Sequence, residues 1–133
     1  MVTPRDTSPF GSAGVGEEHR VDQLISLDVQ QRETATVLTV RGEVDMVTTP
    51  HLRAGLHERL QARPDLLVLD LTRLSFLGSS GLAVLVETLE TSREQGTTLR
   101  LVCNSHEVLR PLEATGLTEL FQTYQDLDAA LAG

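Results

Sequence analysis

Leu69-Asp70-Leu71-Thr72-Arg73-Leu74-Ser75-Phe76-Leu77-Gly78-Ser79-Ser80-Gly81-Leu82-Ala83-Val84-Leu85 is the stretch that decides the fold. Together with the preceding residues, 65–71 (DLLVLDL) form a near-continuous apolar run, the pattern of a central strand covered on both faces. A short polar turn, the apolar pair Phe76-Leu77 and then Gly-Ser-Ser-Gly are expected to follow, the last opening a helix over residues 80–93. Leu82, Leu85, Val86 and Leu89 supply the buried stripe of that helix, and Gly96 closes it. Two hydroxyls, Ser79 and Ser80, thus stand at a helix N-terminus, beside N–H groups without intrahelical partners and at the positive end of the helix dipole. A phosphate carried there would be stabilised by the helix rather than disrupt it.

Upstream, residues 24–30 alternate apolar and polar side chains, which predicts a strand with one buried face. Residues 36–41 (TVLTVR) are β-branched and read as a second strand. The polar link at 31–34 is short enough for an antiparallel hairpin, and Gly42-Glu43-Val44-Asp45 is expected to break the second strand. Thr49 as N-cap and Pro50 in the first helical position start a helix with Leu52, Leu56 and Leu60 on one stripe, ended by Arg63-Pro64. Downstream, residues 98–103 alternate again as a fourth strand. Asn104 with Glu107 resembles a capping box for a helix reaching Ala114, with Pro111 inside it and Gly116 as its cap. A short amphipathic helix at 127–131 closes the chain.

The order ββαβαβαα predicts an α/β fold. The sheet should be mainly parallel, four- to five-stranded, with an N-terminal antiparallel hairpin and about four helices. Residues 1–20 are dominated by Gly, Pro, Ser and Thr and are expected to form a disordered tail, leaving 21–133 as one domain.

Composition narrows the function. Of 133 residues, 19 are acidic and 11 basic, a net charge of −8, which opposes binding to nucleic-acid phosphates or anionic membranes. Aromatic residues make up only 3%, too few for base-stacking platforms. Every basic residue is Arg, so Schiff-base chemistry has no lysine to use. The single Cys103 excludes an internal disulfide framework and a paired-cysteine metal site; it reads as a small buried hydrophobe. No run approaches the roughly 20 apolar residues of a membrane span, and the first residues lack a signal-peptide pattern, so a cytoplasmic location is expected. His51, His57 and His106 lack metal-ligand spacing. There is no G-x-S-x-G elbow and no Lys after the Gly78–Ser79–Ser80–Gly81 turn, so neither a hydrolase nor a nucleotide-cradling loop is indicated. No enzymatic activity is expected.

The same residues carry a resemblance. Asp70-Leu71-Thr72, then Phe76-Leu77-Gly78-Ser79-Ser80-Gly81-Leu82, looks like the signature of STAS domains; Gly42-Glu43-Val44-Asp45 with Thr49-Pro50, and Ala114-Thr115-Gly116-Leu117, match two further elements of that family in order. The whole is similar to stand-alone bacterial anti-sigma factor antagonists. The resemblance implies that Ser79 accepts phosphate, with Ser80 the second candidate, and that Asp45 is the loop acid brought near the helix start. The family's acidic residue before the acceptor is replaced here by Gly78. The implied partner is an anti-sigma factor with a kinase-type ATPase domain, bound through Asp45, Gly78, Ser79, Ser80, Gly81 and exposed helix positions such as Thr88 and Thr91. ATP and Mg belong to that partner, and no cofactor is expected on this chain, a monomer or weak dimer. The rival reading is a lipid-transport accessory subunit or signalling scaffold that works without phosphorylation. Ser79 and Ser80 also suit plain N-caps, and Asp45 a plain turn.

Overall fold

The computed structural model describes residues 24–133; the expected tail at 1–20 and the first residues of the expected domain lie outside them. Strand β1 (Ile25–Arg32) and strand β2 (Ala35–Val44) form the antiparallel hairpin, with Arg32 opposite Ala35 and Glu33 at φ 56° in the turn. Helix α1 (Thr49–Gln61), strand β3 (Leu66–Leu77), helix α2 (Ser79–Gln95) and strand β4 (Thr98–Val102) follow. Helix α3 (His106–Ala114), a 3₁₀ turn at Leu117–Glu119, strand β5 (Gln122–Tyr124) and helix α4 (Leu127–Ala132) complete the chain. The sheet order is β1-β2-β3-β4-β5, parallel from β2 onward.

Period-two patterning puts Leu38 and Val40 of β2 and Leu67 and Leu69 of β3 on one face, where Leu52, Leu56 and Leu60 of α1 and Leu82, Leu85 and Leu89 of α2 complete the main core. Val108 and Leu112 of α3 join the same cluster. On the other face Val37, Val68 and Val102 pack against Ala130 of α4, with Leu127 and Leu131 beside it. The apolar run at the start of β3 is therefore covered on both sides, as its composition predicts. Gly96 (φ 82°) and Gly116 (φ 74°) end α2 and α3 in the left-handed conformation.

The structure departs from the sequence pattern at identifiable points. Both central strands run further than expected. Residues 72–75, expected as a polar turn, are the continuation of β3 with Leu74 buried in the core, and Gly42-Glu43-Val44 extends β2 instead of breaking it. Register shifts between Thr39 and Arg41 and between Gly42 and Glu43 absorb the mismatch as local irregularities, which bend a strand without ending it. Gly42 sits at φ 105°, and a Cβ there would fall 2.0 Å from the Leu24 carbonyl oxygen, so only glycine allows the crossing.

The N-cap of α1 is Thr48, not Thr49, and that of α3 is Ser105, not Asn104. Asn104 instead donates through Nδ2 to the Gln125 carbonyl at 3.1 Å, tying the β4 exit to the β5 exit. The expected buried face of β1 is only partly covered: Ile25 is buried, Leu27 is half-buried and Val29 is 44% exposed. As an edge strand, β1 runs out beyond the cover of α1, leaving a groove between them lined by Leu27, Val29, Ala54 and Gly55.

Candidate functional site

The ends of β2 and β3 lie side by side, Val44 opposite Leu77, and the Gly78 N–H donates to the Val44 carbonyl at 2.8 Å, carrying the ladder one residue past the strand. The chain then turns into α2 with Gly78 as N-cap in extended conformation (φ −92°, ψ 178°) and no side chain to cap the helix. A Cβ on Gly78 would stand 3.1 Å from the Phe76 ring, a tight contact. Gly81, one turn on, is buried; a Cβ there would fall 2.5 Å from Val44 Cγ1 and 2.7 Å from Leu77 Cδ1. Its role is to let the helix start seat on the strand ends, so it offers no contact surface.

The two serines part company here. Neither is the N-cap. Ser79 is the first helical residue and is exposed, and its hydroxyl has no hydrogen-bond partner among the described residues. Ser80 is half-buried, with its Oγ 2.9 Å from Thr49 Oγ1. The Thr49 hydroxyl donates to the Asp45 carbonyl. A hydroxyl has one proton, so in the pair with Ser80 it is Ser80 that donates. Ser80 is thus a strut between α2 and the first residue of α1, which Thr49 ties on to the Asp45 loop.

Asp45 shapes that loop. Its Oδ1 accepts from the Val47 and Thr48 amides at 2.9 and 3.1 Å, while its own N–H donates to Thr48 Oγ1 at 2.9 Å. The Thr48 hydroxyl in turn donates to the Glu43 carbonyl at 2.8 Å. This is an Asx-type turn. Asp45 comes next to the α2 start through the Asp45–Thr49–Ser80 chain of bonds, with its carboxylate directed into its own loop.

The helix positions fare differently. Thr88 is buried, 4% exposed, with its hydroxyl returned to the Val84 carbonyl at 2.8 Å, so the expected exposed contact there is overturned. Helix α2 leans on α1 at that turn, which hides Thr88 between them. Thr91 is exposed, yet it lies twelve residues beyond Ser79, about 18 Å along the axis at about 1.5 Å per residue.

Three apolar side chains at this end of the sheet are exposed and were not among the expected contacts: Met46 (83% exposed) and Val47 (60%), which pattern reading passed over, and Phe76 (49%), which it placed only in the motif. The signal was available in Met46-Val47, an apolar pair inside a turn where no core position exists. Cys103, at the end of β4, is buried, and desolvation pushes its thiol up to about 11, away from reactivity.

A family model described as the STAS domain matches residues 26–130. The chain belongs to the STAS domain family. It is 32% identical over 109 residues to the anti-sigma-F factor antagonist RsfB of Mycobacterium tuberculosis, covering 82% of this chain and 88% of that one. It is 32% identical over 96 residues to the anti-sigma-B factor antagonist of Bacillus subtilis, covering 72% and 87%. The crystal structure of an anti-sigma factor antagonist from Mycobacterium paratuberculosis superposes with a TM-score of 0.77 at 35% identity, over 81% of this chain and 92% of the other. In this STAS domain the GEVD element is the end of β2 with Asp45 as the first residue of the loop after it, the DLT…FLGSSGL element is the second half of β3 with the start of α2, and Gly116 is the left-handed residue after α3. No helix among the described residues is long and apolar enough to cross a membrane.

Proposed function

We propose that this STAS domain is an anti-sigma factor antagonist: it binds an anti-sigma factor of the serine-kinase type and so frees a sigma factor, and phosphorylation of Ser79 ends the binding. The relatives named as anti-sigma factor antagonists support the class of partner. The observation that carries the switch is the division of labour between adjacent hydroxyls. Ser80 has its proton committed to Thr49, whereas Ser79 is exposed and its hydroxyl bonds to none of the described residues, at the first position of a helix of 17 residues.

The chain supplies the hydroxyl and its setting; the partner supplies ATP and Mg. In the transfer, the Ser79 oxygen forms a bond to the γ-phosphorus of ATP, the bond to the bridging oxygen of ADP breaks, and the hydroxyl proton leaves to a base on the kinase. The product adds about −1.5 to −2 charges at pH 7. At the helix N-terminus this charge meets free N–H groups and a favourable dipole, so the fold tolerates it. At a docked surface it must be desolvated, and like charge opposite it costs several kcal/mol. The Asp45 loop and the exposed Met46, Val47 and Phe76 at the same end of the sheet are the surface the partner would cover. An expected affinity loss of about a thousandfold corresponds to about 4 kcal/mol.

The test is calorimetric titration of the cognate anti-sigma factor with the wild type, Ser79→Ala and the phosphorylated protein, with mass spectrometry of the modified residue. Tight binding by wild type and Ser79→Ala, lost on phosphorylation at Ser79, is the expected outcome. Phosphate on another residue, or phosphorylated protein that binds as tightly as the wild type, would defeat it.

A further inference from the structure

β1 is an end strand of the sheet among the described residues, and it is built unlike the strand at the other end. β5 has three residues, whereas β1 has eight, in unbroken register with β2 from Ile25–Gly42 to Arg32–Ala35, with neither proline nor bulge. Sheets that stay unpaired shorten, kink or charge their long edges. Here the only charges on the strand are Asp28, bridged on one oxygen to Arg41 of β2 at 3.0 Å, and Arg32, of opposite sign, four residues apart and on the same face. The other face carries Val29, 44% exposed above the groove it shares with α1.

We propose that β1 pairs antiparallel with β1 of a second copy of this chain, about a two-fold axis through Gln30. A two-fold axis normal to the sheet keeps each side chain on its own face, so it must pass through a residue and not between two. Centred on Asp28, it would set the two Asp28 carboxylates against each other, which is unfavourable for a cross-strand pair. Centred on Val29, it places Asp28 opposite Gln30 and gains nothing from either charge. Centred on Gln30, it places Asp28 opposite Arg32 of the second copy, twice by symmetry, and covers Val29 with Gln31. Opposite charges directly across strands are the favourable arrangement. The isologous pairing joins the two sheets into one continuous sheet.

The pairing is independent of the function proposed above. It uses the half of β1 remote from Ser79, because Ile25 and not Arg32 lies opposite Gly42 at the site end. The two-fold axis points the two Ser79 sites in opposite directions, so both remain open to a partner.

Sedimentation equilibrium of the full chain tests it, with thermal melts to show that each variant is folded. The wild type should dimerise with a dissociation constant below about 1 mM. Asp28→Arg and Arg32→Asp should each weaken dimerisation at least about tenfold, and the double exchange should restore it to within about threefold. If a charge variant fails to fold, cross-linking decides. Gln30→Cys should form a disulfide-linked dimer on mild oxidation, since paired Cα atoms about 4.5–5.5 Å apart suit a disulfide, while Gln31→Cys should not. A chain that stays monomeric throughout, folded single variants that associate like the wild type, a double exchange that fails to restore pairing, or cross-linking through Gln31→Cys in place of Gln30→Cys would each overturn the proposal.

Discussion

Placing a carboxylate at position 79 and at position 80 should change stability in opposite directions, although the two residues are adjacent on one helix. Ser79 gives up nothing when replaced by Asp: it is exposed and bonds to no described residue. The new charge lies at the helix N-terminus, where a carboxylate typically adds about 0.3–1 kcal/mol at low ionic strength. Ser80→Asp meets the same dipole but removes the only donor to Thr49 Oγ1 among the described residues. An acceptor-only carboxylate then faces an oxygen whose proton is already given to the Asp45 carbonyl. Turning that proton toward the carboxylate would leave the Asp45 carbonyl without it. Losing that donor leaves the acceptor side of the buried Thr49 hydroxyl unsatisfied, at a cost of about 1–3 kcal/mol. After the dipole gain is subtracted, Ser80→Asp should destabilise by about 1–2 kcal/mol. Urea unfolding at pH 7 and low salt measures both, with unchanged slope as the sign that only stability has moved. The pH dependence has a definite sign. At position 79 the carboxylate pKa is lowered in the folded state from about 3.9. The gain is therefore present above about pH 4 and lost as pH falls through the lower folded value. Two variants shifting the same way, or a Ser79→Asp gain that persists unchanged well below pH 3, would refute the assignment of Ser80 as donor and Ser79 as free.

Leu85→Ala should cost about 2–5 kcal/mol, since Leu85 is fully enclosed in the main core, while Thr88→Ala should cost about 1 kcal/mol because that side chain is buried between α1 and α2; chemical denaturation of both variants checks the ratio. Gly55→Ala should leave stability unchanged or raise it by up to about 1 kcal/mol, because the new methyl meets only the end of half-buried Leu27. Gly81→Ala should lower stability by about 1–3 kcal/mol, because its methyl meets the enclosed Val44 and Leu77, and thermal melts of the pair should therefore move apart.

The helices, the hairpin and the first half of the central strand were legible from residue order because their signals are local. Leu52, Leu56 and Leu60 lie on one side of any helix that contains them. The apolar run before Asp70 needs cover on two faces wherever it is placed. β5 was not legible: three residues, Gln122-Thr123-Tyr124, are too few for a period, and they become a strand only because β4 presents them with an edge. The second half of β3 failed in the opposite way. Its polar residues read as a turn, but they pair with an equally extended β2, and pairing outweighs local propensity. Thr88 was misread because a threonine gives no sign of which neighbouring helix will lie against it.

The sequence by itself determined the α/β class, the helix opened by Gly-Ser-Ser-Gly and expected over 80–93, and the family membership carried by GEVD and FLGSSGL, since each rests on residue types at fixed short spacing. Which of the adjacent serines is free was decided by the tertiary structure alone. Thr49 and Ser80 are 31 residues apart and meet only after β2 and β3 have paired and brought the loop before α1 against the start of α2. A hydrogen bond of that separation leaves no trace in local composition. It follows from the register of the central strands and the single proton on each hydroxyl.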